Sequence, residues 1–146
     1  MSEILFRGKA KNQNDFYHFS NVWRDCIKDG FVLGSLIVSN DRYYICVSSI
    51  GANKSAINNG IVSIIEVIPE TVGQCTGLTD KNGKKIFEGD ICAIVGEEKE
   101  IIKDDIFVVS WEENCGFNLY TCFDYEIIGN IYDNSELLKG VKNVQL

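Results

Sequence analysis

Proline occurs once in this chain, at Pro69, and histidine once, at His18. A single histidine leaves little from which to build a Cys/His metal site. The six cysteines, at positions 26, 46, 75, 92, 115 and 122, contain no C-x2-C pair of the zinc or redox kind. An even cysteine count would suit a disulfide framework only in an exported protein. The opening Met1-Ser2-Glu3-Ile4 has neither the basic start nor the apolar core of a secretory signal, so none is expected, and the cysteines are read as reduced. Cys46 and Cys92 lie in apolar runs and are expected to be small core residues. No run approaches the ~20 apolar residues of a membrane helix, and a cytoplasmic location is expected. The chain lacks a glycine-rich phosphate loop, a G-x-S-x-G elbow and an H-E-x-x-H helix. Basic residues are also few: 14 Lys and Arg stand against 21 Asp and Glu, a net charge of −7. That balance argues against sequence-independent nucleic-acid binding, which needs a basic surface. These absences point away from catalysis, and no cofactor or metal is expected.

What is present is ordinary globular material. With 45% hydrophobic residues over 146 positions, one core is affordable, and a single domain 1–146 with lobes 1–68 and 73–146 is expected. Short β-branched and aromatic runs separated by turn residues dominate. Residues 3–9, 31–38, 43–49, 61–68, 85–95, 101–102, 106–111, 117–123 and 127–132 read as strands, with the aromatic-rich 16–19 as the expected pairing partner of the first in an opening hairpin. Asn12-Gln13-Asn14-Asp15 and Ser39-Asn40-Asp41 read as hairpin connections, and Asp104-Asp105 as a further turn. Two short helices are expected. One runs from Val22 to Lys28 behind Ser20-Asn21; the other ends at Leu138, capped by Asn134 or Ser135. The predicted fold is mainly β, with many short antiparallel strands and a strongly bent, SH3-like small barrel in the second half.

The most informative stretch is Thr76 to Ile91, TGLTDKNGKKIFEGDI. Asn82-Gly83 predicts a two-residue type I′ turn between exposed Lys81 and Lys84. Ile86 and Ile91 are out of phase for one strand, so a bulge at Gly89 is expected to absorb the slip. Glu88 and Asp90, two apart on that strand, could hold a divalent metal or act as acid and base. The preferred reading is structural, a charged strand face beside a bulge. Gly83 follows Asp80 by three residues, which excludes an EF-hand loop.

This stretch resembles the signature of the YopX family of bacteriophage and prophage proteins, close to TGLxDKNGKxIYEGDIV. The opening Ile4 to Lys9 is similar to the family's IxFRGK. Tyr125 to Leu138, YEIIGNIYDNSELL, is similar to its closing VIGNIYENPELL, and Pro69 to Gln74 matches its usual lead-in. The matches fall in family order along nearly the whole chain. Ser135 stands where the family often has proline, and Cys75 where an aromatic is common. The resemblance implies a phage or prophage setting and no agreed activity. It implies a structural role for Gly77, Asp80, Asn82, Gly83, Glu88, Gly89, Asp90, Gly129 and Asn130.

Function then rests on surfaces. Aromatic residues are plentiful, and Tyr and Trp favour protein interfaces. Tyr43 and Tyr44 are neighbours on one strand, so one of them faces outward. Trp23, Tyr43 and Tyr44 are candidate protein-binding residues, and Lys81, Lys84 and Lys85 are a candidate basic patch. A non-enzymatic binding or assembly module for a host or phage protein is expected, with homo-oligomerisation through an unpaired strand edge. A nucleic-acid-binding barrel using the three lysines is the alternative, followed by a metal-dependent enzyme at Glu88 and Asp90.

Overall fold

A computed structural model describes residues 4–12, 27–28, 30–46, 64–96, 101–120 and 123–139. These residues are mainly antiparallel β, without a helix of seven or more residues. The chain divides into two compact units, Met1–Gln74 and Cys75–Leu146.

The first unit contains β1 (Phe6–Lys9), β2 (Ile27–Lys28), β3 (Phe31–Ser39), β4 (Arg42–Cys46) and β5 (Ile64–Val67). Its centre is β3. The first part of β3 pairs with β1 and β2, and the second part pairs with β4 from Ser35↔Cys46 to Ser39↔Arg42. That last pair leaves a two-residue loop, Asn40-Asp41, in which both residues have positive φ (52° and 62°). This is the requirement of a type I′ turn, and Asn and Asp tolerate it better than other side-chain-bearing residues. Alternation then sets the core. Ile45 on β4 and Ile65 and Val67 on β5 join Val32 in a wholly buried cluster. Burial of each such side chain is worth about 1.5–3 kcal/mol. Gly34 lets β4 come close: a Cβ there would clash with the Cys46 carbonyl oxygen. Past Lys9 the chain bridges to β5 at Ala10↔Val67, with Lys11 N–H on the Glu66 carbonyl (2.9 Å) and Ile68 N–H on that of Lys9 (2.8 Å).

β6 (Gly73–Thr79) carries the division between the units. Gly73 and Gln74 pair with Arg7 and Phe6, whereas Cys75 and Thr79 pair with Phe87 and Lys85 on β7 (Lys85–Phe87). In the second unit, β8 (Asp90–Val95) is flanked by β9 (Ile101–Val108) and β12 (Asp124–Asn130). β10 (Trp111–Glu112) and β11 (Gly116–Phe117) form a separate hairpin. Ile86, Cys92, Val109 and Tyr125 make the core, with Leu78, Ile94, Phe107 and Ile127 packed around it.

The mainly β, antiparallel class is as expected, and five details differ. The SH3-like barrel does not form among the described residues: β8, β9 and β12 make an open three-stranded sheet. Residues 85–95 are not one bulged strand. A turn at Glu88-Gly89 separates β7 from β8, so Ile86 and Ile91 reach zero exposure independently of any shared phase. Asp104-Asp105 lies within β9 rather than in a turn, and Ile27–Lys28, read as the end of a helix, is strand. The C-terminal helix is a single 3₁₀ turn, Ser135–Leu138, and the Asn134 side chain makes no cap bond to it. The expected pairing partner at residues 16–19 and the start of the first helix lie outside the described residues.

Candidate functional site

The signature block is organised by Asp80, which is only 6% exposed. One carboxylate oxygen accepts the N–H groups of Asn82 and Lys84, at 2.9 Å each. The other accepts the N–H of Ile127 on β12, at 3.2 Å. The Asp80 carbonyl accepts Gly83 N–H (3.0 Å), and Asp80 N–H donates to the Lys84 carbonyl (2.8 Å). Only Gly83 in this loop has positive φ (80°). The connection is therefore a three-residue loop, Lys81-Asn82-Gly83, with a left-handed glycine at its end, and not the expected type I′ pair. The carboxylate explains the difference. It organises the loop from within, and Asn82 does not take the positive φ of a type I′ turn.

The same loop covers a sheet edge. Among the described residues β12 pairs with β8 on one side only. On its other side the Tyr125 carbonyl accepts Lys81 N–H (2.8 Å), and Ile127 N–H goes to Asp80. Lys81 Nζ also lies 3.4 Å from Glu126 Oε2. An uncovered β edge is a template for unwanted pairing, and here the loop takes up its backbone groups.

Asp90 and Asn130 repeat this pattern. Asp90, 2% exposed, accepts Phe87 N–H at 2.8 Å and so closes the turn between β7 and β8. Gly89 in that turn (φ 92°) donates to the Val109 carbonyl and accepts Ile131 N–H. A Cβ on Gly89 would come within 3.2 Å of the Tyr132 ring. Asn130, paired with Asp90 in the ladder, accepts the N–H groups of Tyr132 and Asp133 at 3.0 Å and bonds the Asp133 carboxylate. Asn134 returns its side-chain oxygen to Asn130 N–H (3.2 Å), and a Cβ at Gly129 would meet Asn134 at 2.7 Å. Gly77 (φ 86°) sits where the β6–β7 register shifts. The structure thus brings together Asp80, Asn82, Gly83, Gly89, Asp90, Gly129 and Asn130 as a backbone-ordering set.

Glu88 and Asp90 do not form the paired site that a common strand would give. Glu88 is in the turn, and the buried Asp90 carboxylate points to a backbone amide. Among the described residues no three His, Cys, Asp or Glu side chains are grouped to hold a metal ion. Of the lysines, Lys81 pairs with Glu126, whereas Lys84 and Lys85 are exposed beside the loop. A cleft lined by Lys81, Asn82, Val95 and Asp124 lies next to it. Tyr43 packs against the first unit's core. Tyr44 occupies the other face, with the Arg42 guanidinium 5.9 Å from its ring centroid. Trp23 lies outside the described residues.

Two features were not anticipated from sequence. On the outer face of the first unit, Glu66 accepts from Arg42 through Nε (3.0 Å) and Nη2, and from Lys11 Nζ (3.2 Å). The Arg42 hydrogen bond, helped by Lys11, lowers the Glu66 carboxyl to about 2. The pairing depends on the register of β4 with β5, which pattern alone does not fix. In the second unit, Tyr125 is 4% exposed and its hydroxyl accepts Tyr120 N–H at 2.8 Å.

No helix among the described residues is long and apolar enough to cross a membrane. No curated protein matches the chain. Among solved structures, protein EF1440 from Enterococcus faecalis aligns over 94% of this chain and 99% of its own, at 20% identity and a TM-score of 0.49. The family model for YopX protein matches residues 5–139. With the signature loop, the Gly89-Asp90 turn and the Gly129-Asn130 end of β12 all inside that span, this chain belongs to the YopX family.

Proposed function

We propose that this protein is a phage- or prophage-encoded, cytoplasmic, non-enzymatic module that binds a host or phage protein. One observation carries the reading. The polar groups that could have served chemistry, Asp80, Asp90 and Asn130, are engaged with the protein's own backbone, while large aromatic side chains remain at the surface. Trp111 is 59% exposed and Tyr120 65%. Trp and Tyr are the residues most often found as anchors of protein interfaces. Homo-oligomerisation through a strand edge belongs to the same reading.

Nucleic-acid binding through the lysine loop is the second reading. Exposed Lys84 and Lys85 favour it, and the Lys81–Glu126 ion pair and the net charge of −7 oppose it. Affinity purification from the bacterial host, with and without nuclease, followed by mass spectrometry separates the two. A stoichiometric protein partner that survives nuclease is expected. Loss of every partner on nuclease treatment would overturn the protein-binding reading.

A further inference from the structure

We propose that the β10–β11 hairpin and the exposed rings of Tyr120 and Phe123 form a docking face for a lysine- or arginine-rich segment of a partner protein. This rests on the protein-binding reading above and specifies where and what the module binds.

The face is held firmly from beneath. The hairpin loop closes through Cys115 N–H to the Glu112 carbonyl (3.2 Å), with Asn114 at positive φ (71°). Asn118 then fastens the hairpin to the end of β9. Its side-chain oxygen accepts Ser110 N–H (2.9 Å), and its amide donates to the Val108 carbonyl (2.8 Å). Two residues on, Tyr120 N–H is fixed by the buried Tyr125 hydroxyl. The backbone is therefore ordered, yet the rings above it are open. Trp111 meets Phe117 edge-on at 4.9 Å and remains 59% exposed. Tyr120 meets Phe123 edge-on at 6.3 Å, and these two are 65% and 48% exposed. Preorganised aromatic surface loses little entropy on binding.

Charge selects the occupant. Between residues 106 and 138 stand six acidic side chains, Glu112, Glu113, Asp124, Glu126, Asp133 and Glu136, and no Lys or Arg. Glu126 is paired with Lys81. Glu112 and Glu113 follow Trp111 along the hairpin, Asp124 follows Phe123, and all three are exposed; Asp124 shares its cleft with Lys81, so the charge of the face rests on the hairpin's two glutamates. Ring faces attract cations through their quadrupoles, and carboxylates on the same hairpin add longer-range Coulombic attraction. A lysine or arginine side chain satisfies both, with its aliphatic stem on the ring. Phosphate backbones would be repelled. A second copy of this face would set carboxylate against carboxylate.

The test uses the full chain and a fluorescein-labelled peptide of alternating arginine and serine, followed by anisotropy. Binding that weakens as salt rises is expected. Trp111→Ala with Tyr120→Ala should reduce affinity roughly tenfold, the scale of two exposed cation–ring contacts. Glu112→Gln with Glu113→Gln should reduce it several-fold and flatten the salt dependence. Asp41→Asn with Glu70→Gln makes the same change in net charge at exposed sites of the first unit and should leave binding unchanged. Tyr120→Ala alone, with its thermal melt, guards against misfolding of the hairpin. No binding at low salt, equal loss in both charge-matched pairs, or full binding by the double alanine variant would overturn the proposal. If a nuclease-resistant partner still co-purifies with the double alanine variant, the docking face fails while the protein-binding reading survives.

Discussion

Removal of the Asp80 carboxylate tests the structural role given to the signature. In Asp80→Ala three backbone N–H groups lose their acceptor at once. A hydrogen bond to a charged group is worth about 1.5–3 kcal/mol, and a buried donor left unsatisfied costs about 1–3. The three do not simply add. Asn82 and Lys84 are exposed, so water can replace the carboxylate there, whereas Ile127 is half-buried. The expected loss is about 3 kcal/mol, read as a lowered urea midpoint. Asp80→Asn is the more discriminating variant. Its single carbonyl oxygen can serve the two loop amides, but its amide group then faces Ile127 N–H, donor against donor. A smaller loss, about 2 kcal/mol, is expected. In native-state hydrogen exchange the Ile127 amide should lose protection while those of Asn82 and Lys84 keep theirs. The exposed β12 edge should also promote concentration-dependent association. An Asp80→Ala protein within about 0.5 kcal/mol of wild type, the range of ordinary surface substitutions, would refute the reasoning.

Glu66 sets a pH dependence. Its carboxyl is lowered from 4.5 to about 2 by Arg42 and Lys11. The stability it contributes is therefore complete above about 4.5 and is lost as the pH falls through the interval towards 2; urea midpoints of Glu66→Gln should depend less on pH than those of wild type in that window. Gly89→Ala should destabilise more than Gly77→Ala. Both sites have positive φ, at about 1–2 kcal/mol for a Cβ, but only Gly89 also faces a ring at 3.2 Å, and nothing lies within 4 Å at Gly77; thermal melts of the two variants compare them directly. Asp41→Gly should raise the melting temperature, because φ 62° favours glycine and the gain is about 0.5–1 kcal/mol.

The class of fold was legible because alternation and turn chemistry are local. Asn40-Asp41 was readable as a hairpin connection, and Cys92 as a core residue, with zero exposure. The errors fall where a long-range partner decides. Asn82-Gly83 carries the stronger type I′ signal, yet the Asp80 carboxylate imposes a different loop, and the type I′ geometry is found at Asn40-Asp41. The phase slip between Ile86 and Ile91 was real. Whether Gly89 resolves it by a bulge or by a turn depends on Val109 and Ile131, which bond to it from distant parts of the chain. The importance of Asp80, Asp90 and Asn130 came from family resemblance; their partners, above all Ile127 at 47 residues' separation from Asp80, had no local signal. The Glu66 trio and the Tyr120–Tyr125 bond were missed for the same reason.

The arrangement of the signature bears on where function can lie. A motif with paired carboxylates invites a catalytic or metal-binding reading. Here Asp80 and Asp90 are turned onto backbone amides, and their neighbours hold a loop, a turn and a strand edge in place. Such groups serve the fold, whatever the fold is used for. The proposed docking surface accordingly lies among residues free of those duties. Trp111, Glu112, Glu113, Tyr120 and Phe123 meet that condition. Their rings and carboxylates are exposed, and the bonds that order their backbone are made by Asn118 and Tyr125. Substitution there should change binding while leaving the melting temperature nearly unchanged, whereas substitution at Asp80 should do the reverse until the fold itself is lost.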